Sequence, residues 1–300
     1  MRDLNQNTIT REVIDRFKDT PDPRLKALMT SLVTHLHDFA RETHLTEPEW
    51  ERAIAFLTAT GQKCDDKRQE FILLSDVLGL SMLLVAMNHD KPASCTEATV
   101  FGPFHVEDAP QYALGDDVAN GAEGPRMHVH GVVRGLDGEA VPHAVMDIWQ
   151  ADSKGFYDVQ HELPESQGRG VIHSDAEGRY HFRSIVAAAY PIPVDGPVGQ
   201  LLDATHRHPW RPAHLHFRIR APGYESLTTH VFRDGDRWLD SDSVFGVRQS
   251  LVKAWTPSSD GGLELEYDFI LAPNVATKRA RADEFVGTPR TTSDVASTAA

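Results

Sequence analysis

Six short runs rich in β-branched and aromatic residues constrain this chain most: Met127 to Val133, Val145 to Trp149, Tyr180 to Ile185, His214 to Arg220, Leu227 to Phe232 and Leu263 to Ile270. Gly, Asp and Pro turns separate them, which predicts an antiparallel β-sandwich or barrel. Upstream of Pro92 the pattern is helical instead. Leu25, Leu28, Met29, Leu32, Leu36 and Phe39 recur at three and four, and Asp22-Pro23 offers an N-cap followed by Pro at the first helical position. Thr46-Glu47-Pro48-Glu49 is a capping box ahead of Trp50, Ile54 and Leu57, and a third helix is expected from about Lys67. The fold class is therefore mainly β with α. A helical segment 1–95 precedes a β-sandwich domain 96–275 and a flexible tail 276–300. Five prolines between Tyr190 and Pro212 predict a long ordered loop, a frequent location for site residues.

Composition narrows the partners. With 300 residues, 40% of them hydrophobic, the chain can bury a sizeable core. The formal charge of −14 and the lack of a Lys/Arg block argue against nucleic acid. Cys64 and Cys95 are too few for a disulfide framework or a thiolate metal site. The polar N-terminus has no signal-peptide pattern, so a cytoplasmic location is expected. The apolar run Phe71 to Met87 is broken by Ser75, Asp76, Gly79 and Ser81, which predicts a buried helix and no membrane span.

Sixteen histidines make about one His-x-His pair expected by chance, yet four occur. His35/His37 fall on a predicted helix, where neighbours two apart point to different sides. His206/His208 lie in the Pro-rich loop. His128/His130 and His214/His216 each share one face of a strand, from which two imidazoles can reach one ion. His128/His130 reads as a solvent face, whereas Leu215 and Phe217 give His214/His216 an apolar face to oppose. His173-Ser-Asp175 looks like part of a His/carboxylate iron site, but belongs to a turn. With thiolates scarce, phenolates are the informative further donors, and Tyr157 and Tyr190 stand outside ordinary core positions.

Four segments carry a resemblance: Trp149-Gln-Ala-Asp-Ser-Lys-Gly-Phe-Tyr157, Asp175 to Ile185, Ala189-Tyr-Pro-Ile-Pro-Val-Asp-Gly-Pro197 and Arg211-Pro-Ala-His-Leu-His-Phe217. In order and spacing the chain resembles the intradiol ring-cleavage dioxygenases over roughly residues 10 to 275. The resemblance implies one Fe(III) per subunit, held by Tyr157, Tyr190, His214 and His216. Phenolates are hard anionic donors suited to ferric iron, and two of them with a hydroxide cancel its three charges. It further implies an aromatic diol or triol and O2 as substrates, Tyr190 as a displaceable ligand that takes a proton, and Arg211 beside the ring. Within the family, the segments around Leu227 and Asp234 and the presence of His230, where catechol-cleaving members usually have glutamine, are closer to hydroxyquinol-cleaving members. Asp76 would then receive the third hydroxyl. Leu73, Val100, Phe101, Gly102 and Pro103 would line the pocket together with Phe104, Ile192, Pro193 and Val194. Family members dimerise through the helical part, often around a lipid-filled tunnel, so a homodimer with bound phospholipid is expected. The competing readings are catechol or chlorocatechol cleavage, zinc hydrolysis by His214/His216 with a carboxylate, and a transthyretin-like carrier without catalysis.

Overall fold

A computed structural model describes residues 3–65, 68–89, 91–161 and 163–274. The tail expected over 276–300 lies outside the described residues. The chain divides into two compact units, residues 1–63 and 64–300. This boundary precedes the change in sequence pattern near residue 95, because the helices after Lys63 pack with the β-rich part.

The first unit comprises α1 (Ile9–Asp15), α2 (Pro23–Glu42) and α3 (Glu47–Gln62). Asp22 Oδ1 accepts from the backbone N–H groups of Arg24 (2.7 Å) and Leu25 (3.1 Å), so the sequence's N-cap starts α2. The capping box of α3 also forms, with Glu49 Oε2 accepting from Thr46 N at 2.9 Å. Periodicity did not translate into burial here. Leu28, Leu32, Leu36 and Phe39 on α2, and Trp50, Ile54 and Leu57 on α3, are all exposed.

The second unit opens with α4 (Glu70–Val77) and α5 (Leu80–Asn88), bent by 77°. The single buried helix expected over Phe71 to Met87 is thus two helices, broken where Gly79 takes φ +75°. Its apolar side chains are only partly buried: Leu73, Val77 and Met82 face inward, while Phe71, Leu78, Leu83 and Met87 are exposed. No single helix among the described residues is long and apolar enough to cross a membrane.

The strands are β1 (Arg126–Gly135), β2 (Val145–Gln150), β3 (Arg169–His173), β4 (Arg179–Ile185) and β5 (Tyr190–Pro191); then, after α6 (Pro197–Ala204), β6 (Trp210–Arg211), β7 (His214–Arg220) and β8 (Leu227–Arg233) follow. β9 (Val252–Lys253), β10 (Thr256–Pro257), β11 (Leu263–Glu266) and β12 (Phe269–Leu271) complete the set. One sheet runs β10-β11-β1-β12 with β4 also on β1, and the other runs β3-β2-β7-β8-β9. Pairing is mixed, which corrects the all-antiparallel expectation: β1 lies parallel to β11 and β12, and β8 parallel to β9. The run Leu263 to Ile270 is two strands, because the Asp268 carboxylate takes the Val132 N–H (2.8 Å) that a continuous ladder would use. The expected loop from Tyr190 to Pro212 contains α6, where Pro197 starts a helix, and closes through the β5–β6 ladder.

Alternation along the strands sets the core. Met127, Val129 and Phe182 from one sheet join Met146, Ile148, Leu215, Phe217 and Val231 from the other in one buried cluster. Each such side chain contributes about 1.5–3 kcal/mol by leaving water. The opposite face of β7 looks onto a second cluster, including Leu73, Val77, Trp149, Tyr157, Tyr190, Ile192 and Val198. That face carries the chemistry.

Candidate metal centre

On β7, His216 pairs with Trp149 on one side and His230 on the other, so register alone brings three rings side by side, His230 meeting His216 edge-on. Trp149 lies flat against His216, with centroids 4.6 Å apart. Tyr157 arrives on a turn after β2. Asp152 Oδ1 accepts from the N–H groups of Lys154 (2.8 Å) and Phe156 (2.9 Å), and Gly155 at φ +88° lets that turn press against Tyr190. A Cβ at position 155 would sit 3.0 Å from Cβ of Tyr190. Next to Tyr157, Asp158 is locked by buried Arg169, whose Nε lies 2.9 and 2.8 Å from the two carboxylate oxygens. Tyr190 is held from the far side by its ladder partner Arg211.

The four expected ligands converge. Nε2 of His214 lies 3.0 Å from Nε2 of His216, which lies 2.9 Å from the Tyr157 hydroxyl. Tyr190 Oη is 3.4 Å from Arg211 Nη1, which is equally 3.4 Å from His214 Nε2. All four side chains are buried. His214 Nδ1 is 2.7 Å from the carbonyl of Pro212, so Nδ1 carries the proton and Nε2 presents its lone pair. Two donors about 2.1 Å from one ion and about 90° apart would lie about 3.0 Å from each other, the spacing found here. His230 joins from behind, its Nδ1 2.9 Å from Thr99 Oγ1, and the three imidazoles form a possible metal-binding group.

Burial sets the protonation states. It pushes the Tyr157 phenol well above its ordinary value, aided by neighbouring Tyr190. It holds His214, His216 and His230 well below theirs, with Arg211 adding to the effect on His214, and His230 and His214 adding to it on His216. Neutral imidazoles are the form that binds metals. A buried phenol, by contrast, needs a cation beside it before it ionises. Burial opposes the Arg211 charge, yet Asp242 and the two phenols outweigh it and raise its pKa.

The expected pocket residues divide. Leu73, Val100 and Ile192 belong to the apolar cluster around Tyr157 and Tyr190, and Phe104 stacks on Tyr157 with centroids 4.3 Å apart. Gly102, at φ +74°, brings its backbone so close that a Cβ would lie 3.3 Å from His216 Cε1. Leu73, Pro103, Phe104 and Pro193 line a cleft of about 800 Å³ with Arg68, Glu70 and His161. Asp76 is buried, and burial raises its pKa against the pull of Ser81 and Arg211. Phe101 is exposed beneath the Arg218 guanidinium. Val194 is exposed in a separate depression with Gly199 and Leu202. The other histidine pairs lie elsewhere. His128 and His130 face Asp260 (2.6 Å) and Glu264 (2.8 Å) at the surface, His37 meets Thr10, and His208 packs on Trp238. The exposed His173 ends β3. Thr99, Asp242, Val244 and the Arg169–Asp158 pair are site neighbours that sequence reasoning missed. Only the unusual density of Asp and Ser over Asp240 to Ser243 marked any of them.

Two phenols and two imidazoles brought together in this way are a donor set able to hold a metal ion. Residues 100–273 match the family described as Dioxygenase, and residues 22–96 match Catechol dioxygenase N terminus. The chain belongs to the intradiol ring-cleavage dioxygenases. It is 64% identical over 276 residues to 6-chlorohydroxyquinol 1,2-dioxygenase of Cupriavidus pinatubonensis (strain JMP 134 / LMG 1197), covering 92% of this chain and 100% of the relative. It is 49% identical over 282 residues to hydroxyquinol 1,2-dioxygenase of Rhodococcus opacus, with 89% of this chain and 94% of the relative covered. Among solved structures, hydroxyquinol 1,2-dioxygenase from Pseudomonas putida DLL-E4 superposes with a TM-score of 0.84 at 45% identity, covering 89% of this chain and 98% of that one.

Proposed function

We propose that this chain uses O2 to cleave hydroxyquinol, benzene-1,2,4-triol, between its adjacent hydroxylated carbons, giving 3-hydroxy-cis,cis-muconate and its tautomer maleylacetate. Both oxygen atoms enter the product. The 64% identity to a chlorohydroxyquinol-cleaving relative carries the substrate class. The convergence of two phenols and two imidazoles supports the centre. The donor set fits one Fe(III) per subunit, held by Tyr157, Tyr190, His214 and His216, since hard phenolates favour a ferric ion over zinc. When bound, the iron supplies a Lewis-acid and redox centre that makes the diol reactive toward O2.

The chain's own groups do the rest. Tyr190 accepts a proton from one substrate hydroxyl at its phenol oxygen, which lies 3.4 Å from Arg211 Nη1. Arg211 then offsets negative charge developing on the ring. His230, turned by Thr99, presents its other nitrogen to the same space. Asp76 accepts a hydrogen bond from the third hydroxyl and so selects the triol. Leu73, Val100, Gly102, Phe104 and Ile192 pack against the ring and exclude water, while Pro103, Pro193, Phe101 and Val194 shape the approach.

The two sheets pack face to face as a β-sandwich catalytic domain, 96–275, preceded in the chain by the helical segment 1–95. The exposed apolar faces of α2 and α3 pair two copies into a homodimer able to hold phospholipid. The enzyme works in the cytoplasm. Oxygen uptake with hydroxyquinol and with catechol, on protein of known iron content and visible spectrum, tests the reading. Uptake with hydroxyquinol and little with catechol supports it. Catechol preference would move the substrate to the diols, and failure to bind iron would leave a carrier.

A further inference from the structure

Arg211 makes its close contacts away from the centre. Its Nε donates to Asp242 Oδ1 at 3.0 Å and its Nη2 to Oδ2 at 3.4 Å. Toward the centre, its distances to Tyr190 Oη, His214 Nε2 and His230 Nδ1 are 3.4, 3.4 and 3.5 Å, all longer than the 3.0 Å Nε bond to Asp242. The guanidinium is therefore held most firmly on its Asp242 side and only by longer contacts on the side of the centre.

The carboxylate is itself fixed. Asp242 Oδ2 accepts from Gly246 N at 2.8 Å, and its turn is tied to the strand bearing Arg211 through Ser243 N and the Trp210 carbonyl (3.1 Å). Arg207 ties the same turn to the end of α4, donating to the carbonyls of Ser243 (3.0 Å) and Val77 (2.6 Å). Gly246 completes the arrangement. A Cβ there would lie 2.9 Å from Arg211 Nη2 and 3.2 Å from Asp242 Oδ2, so any side chain at 246 would have to shift the ion pair. Both charged side chains are 2% exposed.

We infer that Asp242 is a positioning residue: it holds the Arg211 guanidinium in the one orientation that turns Nη1 and Nη2 toward the ring-cleavage centre. This rests on the ring-cleavage reading above. A bare arginine at position 211 would swing toward whichever phenol carried charge. Tethered at Nε, it offers its positive charge at a fixed place when the substrate, and not a ligand, becomes the anion.

The test compares iron-loaded wild type, D242N, R211Q and R211Q/D242N in hydroxyquinol turnover, iron content and visible titration with 4-nitrocatechol. D242N is expected to keep its iron and bind the nitrocatechol within about threefold while kcat falls about 10–100-fold. The double variant should be no slower than R211Q, because Asp242 acts through Arg211. In metal-free protein, the Arg211 Nε–H resonance, assigned by its loss in R211Q, should exchange slowly in wild type and fast in D242N. Unchanged kcat in D242N, parallel loss of iron and analogue binding, or multiplying losses in the double variant would overturn the assignment. Wild type without ring cleavage would overturn the functional reading and this assignment with it, and is told apart because wild type itself fails. If D242N does not fold, G246A displaces the guanidinium with both charges retained and should show the same split between kcat and binding.

Discussion

The hydroxyl of Tyr157 lies 2.9 Å from Nε2 of His216, although Tyr157 follows β2 and His216 sits in the middle of β7. The turn at Gly155 and the Asp158–Arg169 pair hold the phenol there. Without a cation the phenol is protonated at neutral pH, and burial holds its pKa further above the ordinary value. Iron loading should therefore release at least one proton per site and weaken as pH falls. Tyr157→Phe removes that donor at almost constant volume. The variant should fold, bind little iron by elemental analysis and lose the visible ferric–phenolate band; a full-strength band would remove Tyr157 from the ligand set.

The three central histidines predict an acid limit for the metal-free protein. His214, His216 and His230 are held neutral in the fold, with values well below the ordinary 6.5. Unfolding frees them to protonate below pH 6.5, so the unfolded state binds more protons there. Stability is then present above about pH 6.5 and falls as pH drops, with a slope of up to about 1.4 kcal/mol per pH unit for each histidine. Urea titrations of metal-free protein between pH 7.5 and 5 should show this, and His230→Gln should make the slope shallower.

Much of the centre was legible because two-residue periodicity is rigid in a strand. The sequence alone places His214 and His216 on one face, with Leu215 and Phe217 on the other, and the β7 register bears that out. Caps were equally plain at Asp22 and Thr46. Asp242 was not legible, since its partner Arg211 lies on another element and nothing local in Asp240 to Ser243 says which carboxylate turns inward. Proline density hid α6, as Pro197 reads as a breaker and as a helix start alike. Parallel pairing of β1 with β11 and β12 depends on long-range topology that no strand pattern encodes.

The proposed recognition of the third hydroxyl by Asp76 predicts a difference between triols and diols. Its carboxyl is buried on α4, near Ser81 and Arg211, where a charge without a further hydrogen bond is costly. A hydrogen bond from the third hydroxyl would supply one, and such bonds to charged groups are worth about 1.5–3 kcal/mol. Asp76→Ala should therefore lower kcat/KM for hydroxyquinol about 10–100-fold more than for catechol. Equal losses on both would assign Asp76 to packing.

Arg169 and Asp158 form a buried pair beneath Tyr157, with Arg169 Nη1 also donating to the Phe104 carbonyl at 2.9 Å. Arg169→Met leaves a carboxylate buried without its cation. Breaking one side of such a pair costs about 3–5 kcal/mol, more than replacing both sides with apolar groups. Urea denaturation of Arg169→Met should show a loss in that range, and the double variant Arg169→Met/Asp158→Leu should recover part of it. A double variant no more stable than the single would mean that the carboxylate's loneliness is not the cause.

Along α2, Leu28, Leu32, Leu36 and Phe39 form one stripe at three- and four-residue spacing, and each is at least 43% exposed. Trp50, Ile54 and Leu57 repeat the arrangement on α3. Soluble chains rarely leave apolar stripes of this length in water, and covering them with a second copy removes both at once. Leu36→Lys places a charge in the middle of the α2 stripe, where it would be desolvated in a dimer and free in a monomer. Light scattering at micromolar concentration should give twice the chain mass for wild type and a shift toward the single mass for Leu36→Lys, whose ring-cleavage centre in the other unit is untouched. A monomeric wild type would refute the dimer.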